Sequence, residues 1–157
     1  MMMFRDIMSL LSTSVSVVSC IEGQFIYGCT ISSLVSVDVR EENSEIIFVL
    51  KKHSLVSNKI ITNEFFTVNV LSASQVEIAK KYSVGRLPEG ISDSSWIIES
   101  EFAKFLKCRV TMHCKLLTVY DNHAADILVG KVIKYSGDQG QQSLIYDARR
   151  YGRFQSN

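Results

Sequence analysis

The stretch from Leu106 to Leu116 constrains the fold more than any other part of the chain. Leu106, Cys108, Val110, Met112, Cys114 and Leu116 share one parity, and Lys107, Arg109, Thr111, His113 and Lys115 share the other. A helix, with its period of 3.6, would scatter these two sets around its axis. A strand puts the apolar set on one face and the polar set on the other. The run therefore predicts a half-buried antiparallel strand, and a strand needs neighbours to satisfy its backbone.

Those neighbours are visible on either side. Ser14 to Cys20 reads as a strand ending at the turn Glu22-Gly23-Gln24. In Thr30 to Val39, Ile31, Val35, Val37 and Val39 alternate with Thr30, Ser32, Ser36 and Asp38, so one face is largely hydroxylic. Ile46 to Leu50 and Phe66 to Leu71 are further apolar strands, as are Ile127 to Tyr135 and Ser143 to Tyr146, with the turn Gly137-Asp138-Gln139-Gly140 between the last two. Three short helices punctuate them. Phe4, Ile7, Met8 and Leu11 have helical spacing; Ser54 can cap a helix bearing Leu55, Val56 and Ile60; Ser72 and Gln75 have capping-box spacing ahead of Val76, Ile78, Ala79 and Tyr82. The segment Val84 to Ser95, with Pro88, reads as a loop of the length that covers something. About seven strands with inserted helices predict a mainly β, Greek-key-like antiparallel barrel with a few flanking helices. At 157 residues and 46% apolar content, the whole of 1–157 forms one domain.

Charge and composition exclude several functions. Seventeen basic residues oppose sixteen acidic ones, a net charge of +1, which gives no field for nucleic acid or an anionic membrane. The start, Met1 to Ile7, carries the charge pair Arg5 and Asp6 where a secretory signal needs an apolar stretch, and no run approaches the roughly 18 apolar residues of a spanning helix. A cytoplasmic protein is expected. Cys20, Cys29, Cys108 and Cys114 form no C-x-x-C pair and read as buried thiols; His53, His113 and His123 show no metal-ligand spacing, so no metal is expected. The chain has neither G-x-G-x-x-G nor G-x-x-x-x-G-K-[ST]. A dinucleotide would therefore lie in a groove without a dedicated phosphate loop.

Three features suit an anionic, partly aromatic ligand. The hydroxyls of Thr30, Ser32, Ser33 and Ser36 can donate to phosphate, ribityl or ring-edge oxygens, although the same alternation suits a solvent-facing sheet. Lys51-Lys52-His53-Ser54 ahead of a helix joins two cations to free helical N–H groups, the makings of an anion site or of a solvated basic turn. Asp121-Asn122-His123 places an imidazole at a turn, beside a ligand or simply at the surface.

Together, in this order, these segments resemble the flavin reductase family that supplies reduced flavin to two-component monooxygenases, such as those acting on hydroxyphenylacetate or nitrilotriacetate. The resemblance runs through Phe4-Arg5-Asp6-Ile7-Met8, Val15 to Ser19, Gly28 to Val37, Phe48 to Ser54 with Asn58, Val68 to Leu71 with Gln75 and Ala79, Asp121 to His123, Val129 to Val132, Leu144 to Tyr146 and Arg149-Arg150-Tyr151. Two segments depart from the family: Glu41-Glu42 stands where Pro-Pro is frequent, and Asp121-Asn122-His123 where Gly-Asp-His is frequent.

The resemblance implies a dimeric split β-barrel that binds flavin mononucleotide (FMN) or flavin adenine dinucleotide (FAD) near the subunit interface, takes NADH or NADPH as co-substrate, and passes reduced flavin to a partner monooxygenase. Carried over by position, Thr30, Ile31, Ser32, Ser33 and Ser36 hydrogen-bond the flavin, and Lys51, Lys52, His53 and Ser54 close over its ribityl and phosphate end. Ser72, Ala73 and Gln75 line it further, and His123, Tyr151 and Arg153 lie where nicotinamide docks, His123 as the residue that positions it. An amine oxidase of the pyridoxamine-phosphate type and a non-enzymatic flavin-binding module are the alternatives on the same barrel. The apolar parity of Leu106 to Leu116 further suggests spare sheet surface for a homodimer.

Overall fold

In the computed structural model, residues 1–85, 88–93 and 95–156 are described. The chain opens with α1 (Phe4–Met8), β1 (Thr13–Ser14), β2 (Ser16–Glu22), β3 (Phe25–Ile31), β4 (Val35–Asp38) and β5 (Glu45–Lys51). It continues through α2 (Leu55–Asn63), β6 (Phe65–Val70), α3 (Val76–Ser83), β7 (Glu89–Gly90), β8 (Ile97–Glu99) and β9 (Phe102–Lys104). It closes with β10 (Val110–Asp121), β11 (Ala125–Gly137), β12 (Leu144–Asp147) and β13 (Arg150–Arg153). The expected covering loop falls partly on residues 86, 87 and 94, which lie outside the described residues; its described part includes β7, paired to β3.

Eight strands form one antiparallel sheet in the order β4-β5-β11-β10-β6-β2-β3-β7. Late strands are thus inserted between early ones, and β4 and β7 stand at open edges. The architecture is the mainly β split barrel expected, with a sheet that curls but does not close. β1, β12 and β13 make a small second sheet, and β8 with β9 a hairpin. Among the described residues, no helix is long and apolar enough to cross a membrane.

Around β2 the sheet is buried on both faces, which explains where the one-face expectation fails. On β2, Val18 and Cys20 join Phe48, Leu50, Ile60, Phe66, Val68, Cys114 and Leu128 inside the barrel. Val17 points the other way, into a second cluster with Val15, Ile26, Leu71, Ala79, Tyr82, Trp96, Phe105 and Leu144. Backbones approach closely inside the barrel: a Cβ on Gly130 would lie 2.5 Å from Phe66 Cζ.

β10 keeps the expected apolar parity from Val110 to Leu116, packed against the barrel core. Leu106 and Lys107 precede the strand, however, and Leu106 is exposed. The supposedly wet parity is also buried at Thr111 and His113, and at His113 the cover is the β8–β9 hairpin. Phe102 stacks on His113 with centroids 4.3 Å apart and meets Phe65 edge-on at 6.0 Å. The Asn69 carboxamide donates to Val17 O at 3.2 Å and accepts from Phe105 N at 3.2 Å, and Ser19 Oγ donates to Ala103 O at 2.8 Å. These bonds satisfy polar groups that burial would otherwise make costly, and they tie the segment 103–105 to the sheet.

The expected strand Thr30 to Val39 is broken. β3 ends at Ile31 opposite Ser16, and after Ser32–Leu34 the chain crosses to pair Val35 with Ile47 and Ser36 with Ile46. Val35 pairs with Ile47 on the side away from the barrel core and is exposed, as are Val37 and, beyond β4, Val39. The first helix is shorter than its spacing predicts, and its Phe4, Ile7 and Met8 are exposed.

Burial holds the His113 imidazole below its ordinary value, with Glu99, 3.9 Å from Nε2, pulling the other way. The unfolded chain therefore takes up the proton first. The stability tied to neutral His113 is complete above about pH 6.5 and is lost as pH falls through that ordinary value toward the lowered one. Unfolding free energy from pH 7 to pH 5 should fall less steeply in His113→Gln than in the parent. Equal slopes in urea titrations would show that folding does not lower the His113 pKa.

Candidate functional site

The site is built where β5 ends. Its last residue, Lys51, pairs with Ala125 at the start of β11, and Lys52 N donates to Ala124 O at 3.3 Å. The chain then turns through His53, whose φ of 59° is in the left-handed region, and Ser54 N closes the turn on Lys51 O at 3.1 Å. Ser54 caps α2 as expected, its Oγ accepting from Ser57 N at 3.2 Å. Behind this turn, Ser57 Oγ donates to Asp126 Oδ2 at 2.5 Å, both residues being buried. The first N–H groups of a helix lack intrahelical partners, so the nine residues of α2 present a positive end next to Lys51, Lys52 and His53.

That end borders a cleft of about 420 Å³ lined by Lys51–Val56, Gly28, Cys29 and Tyr82–Gly85. Its aromatic wall is fixed from behind. Trp96 Nε1 donates to Tyr82 Oη at 2.9 Å, Tyr82 Oη donates to Glu89 Oε2 at 3.0 Å, and Lys81 pairs with Glu89 at 2.6 Å. Trp96 in turn stacks on Phe105 at 3.7 Å. These rings lie close against the β3 backbone: a Cβ on Gly28 would fall 2.9 Å from Tyr82 Cδ1 and 3.3 Å from Trp96 Cζ2. Cys29 lines the cleft, and burial raises its thiol above the ordinary value. Burial also pushes Cys20 up to about 12 and Cys108 up to about 11, so both are buried thiols rather than nucleophiles.

The other sequence candidates lie at graded distances from this cleft. Thr30, Ile31 and Ser32 line an adjoining cleft of about 200 Å³ with Tyr146 and Tyr151, and Ser83 borders both clefts. Thr30 Oγ1 donates to Ala79 O at 2.7 Å. Ser33 Oγ accepts from Val49 N at 3.0 Å. Burial, with Tyr146 beside it, raises the Tyr151 phenol. Ala73 and Arg153 lie further along, in an open cleft of about 630 Å³ with Val76 and Leu144.

Ser72 and Gln75 act in the scaffold. Gln75 Oε1 accepts from Ser72 N at 2.9 Å, and its Nε2 donates to Leu106 O at 2.8 Å. The expected capping box is half formed: Gln75 itself occupies the cap position of α3, and no side chain bonds the helix's first turn. Ser36 lines a different cleft, of about 260 Å³, with Ile46, Met112 and Tyr135. Although Ser32 and Ser36 share parity, the break between β3 and β4 sends them to different clefts.

His123 is exposed in the β10–β11 turn. It does not line the 420 Å³ cleft, but its turn is held against the cleft by Lys52, whose ammonium donates to the Asp121 carboxylate and to Asn122 O at 3.1 Å. Sequence reasoning missed the contributions of Gly28, Tyr82 and Asp126. A glycine inside a strand signals a close approach, and at Gly28 that signal was available. The pairing of Asp126 with Ser57 depends on register and leaves no local trace.

The model of the flavin reductase like domain matches residues 8–155. Among solved structures, the chain is similar to the NADH:FAD oxidoreductase of Streptomyces globisporus, with a TM-score of 0.86, 21% identity and coverage of 97% of this chain and 92% of that one. The styrene monooxygenase flavin reductase of Pseudomonas putida S12 gives 0.84 at 18% identity, covering 99% of each chain. A nitrilotriacetate monooxygenase component B from Mycobacterium thermoresistibile gives 0.85 at 17% identity, covering 97% of this chain and 85% of that one.

The close approach at Gly28 is testable by itself. Gly28→Ala must displace the Tyr82 and Trp96 rings, so it should cost about 1 to 3 kcal/mol of stability and shift the emission of Trp96. An unchanged Tm with unchanged emission would mean that the wall is not packed on β3.

Proposed function

The chain belongs to the flavin reductase like domain family, and on that premise we propose that it is an NAD(P)H:flavin oxidoreductase whose flavin, FMN or FAD, binds in the cleft at the start of α2. The observation that carries the assignment is the meeting of cations, helix N-terminus and aromatic wall in one cleft. Lys51, Lys52, His53 and Ser54 supply charge and donors for a phosphate, and Tyr82, backed by Trp96, supplies a flat apolar wall for a ring system. Bound together, reduced nicotinamide and flavin supply the redox chemistry, a hydride passing from nicotinamide C4 to flavin N5. The protein's task is to hold and align them, so the reading requires no protein nucleophile or paired carboxylates.

Thr30, Ile31, Ser32 and Ser33 lie along the flavin edge in this reading, supported by the border that the two clefts share at Ser83. Tyr151 and Arg153 flank the nicotinamide side, with Ala73 beside Arg153. His123 positions the nicotinamide from its turn. Ser72 and Gln75 act by bracing the start of α3 rather than by touching flavin, and Ser36, in its separate cleft, is given no flavin contact. The names of the Pseudomonas and Mycobacterium relatives support a partner monooxygenase that receives the reduced flavin. That of the Streptomyces protein supports NADH as donor. A cytoplasmic location suits a supply of reduced nicotinamide.

The reading also includes a homodimer, supported by an apolar sheet face other than the one sequence parity suggested. The parity of Val110, Met112, Cys114 and Leu116 is spent on the barrel core. Directly paired residues project to the same side of a sheet, and the pairings Val35↔Ile47, Val49↔Ile127, Ile47↔Val129 and Tyr120↔Ile127 make a second apolar face, outside the barrel. Val35, Val49 and Tyr120 on it are exposed. Lys51 continues the same parity, so a second copy seated there lies beside the cleft.

Anaerobic mixing of the protein and flavin with NADH or NADPH should bleach the flavin absorbance. His123→Ala should slow that step, by as much as about 100-fold if donor placement moves by 1 Å, while flavin affinity stays within a few fold. No bleaching with either nicotinamide, with flavin bound, would leave a binding module or an amine oxidase instead. Sedimentation at micromolar concentration should show a dimer, burying more than about 1,000 Å²; a flavin-bound monomer would contradict the interface.

A further inference from the structure

Lys52 belongs at once to the cleft and to the turn beside it. The residue lines the cleft with His53 and Ser54, and its ammonium is turned to the Asp121 carboxylate and to Asn122 O at 3.1 Å. The Lys52 side chain is 24% exposed and that of Asp121 is 72% exposed. An ion pair with one partner so open to water is weakly held, because water and salt compensate the carboxylate when the lysine leaves. A phosphate entering the cleft needs the same cation. Asp121 and Asn122 O take two of the ammonium's three N–H donors, and the Asp121 carboxylate offsets the single charge that a phosphate would draw on, so a full ion pair with the phosphate means loosening the one with Asp121.

We infer that Asp121 competes with the flavin phosphate for Lys52 and so holds flavin affinity down, making the flavin an exchanging substrate rather than a retained group. The inference rests on the reading of Lys51–Ser54 as the phosphate end of the flavin site. Asp121 acts here through Lys52 and touches no reactant; it is a residue that sets affinity. The competition concerns the phosphate alone, so a flavin without phosphate must be indifferent to it. The effect must also vanish when Lys52 carries no charge, which separates exchange of the lysine from repulsion of the phosphate by Asp121 through space.

The experiment is titration of FMN and of riboflavin into the parent, Asp121→Asn, Lys52→Met and the double variant, read by flavin fluorescence. Asp121→Asn should bind FMN about two- to fivefold more tightly, the range set by exchange of an exposed ion pair, with riboflavin affinity unchanged and the gain shrinking as salt rises. In the Lys52→Met background, the same substitution should do nothing. A parent that binds FMN more tightly than riboflavin, with no gain in Asp121→Asn, would overturn the inference and leave the phosphate reading intact. A gain that persists in the Lys52→Met background would also overturn it, in favour of through-space repulsion. Equal affinity for FMN and riboflavin in both the parent and Asp121→Asn would remove the phosphate reading and the inference with it.

Discussion

The antiparallel pairing of β5 with β11, from Glu45 opposite Lys131 to Lys51 opposite Ala125, fixes the charged end of the cleft. It brings two turns distant in sequence to the same end of the sheet: Lys52–Ser54, which starts α2, and Asp121–Ala124, which joins β10 to β11. Once these turns meet, Lys52 can reach Asp121 and Asn122, and Ser57 can reach Asp126. A one-residue slip would set Phe48 opposite an outward-facing residue of β11, so either Phe48 or Leu128 would leave the barrel. The core at one end of the pairing and the cleft at the other therefore stand or fall with the same register.

The opposite wall of the cleft depends on the sheet being covered on both faces. Because β2 and β3 are buried on their outer side as well, Tyr82, Trp96 and Phe105 pack there as a continuous aromatic group. The absence of a side chain at Gly28 lets that group sit against the strand. A cleft between a helix N-terminus and such a wall offers charge at one end and a flat surface along its side. That combination suits a molecule made of a phosphate and a fused ring, and it needs no dedicated phosphate loop.

Much of this was legible in the sequence, for identifiable reasons. Strands with strong alternation or a continuous apolar run, such as those containing Phe48, Phe66 and Leu128, are found within a few residues of their expected bounds, as is the Ser54 cap. Local signals specify these features. What alternation could not reveal was a cover on the second face: the polar parity of β10 looked solvent-facing because Thr111 and His113 are ordinary surface residue types, and His113 is covered only once the β8–β9 hairpin lies over it. Nor could parity register the break at Ser32–Leu34, where the chain leaves one strand partner for another, so Ser36 seemed to share a face with Ser32. The Lys51–Ser54 segment was recognisable because charge and cap are contiguous. The aromatic wall was not, because Gly28, Tyr82 and Trp96 are brought together only by tertiary packing.

The central claim is that flavin occupies the cleft between the start of α2 and Tyr82. Mapping backbone amide chemical shifts during an FMN titration tests it most directly. With FMN in this cleft, the largest shifts fall on Gly28, Cys29 and Lys51 to Leu55, with smaller ones at Thr30 to Ser32 and none at Ser36, Met112 or Tyr135. Shifts centred on Ser36, Met112 and Tyr135, with Lys52 to Ser54 unmoved, would contradict it.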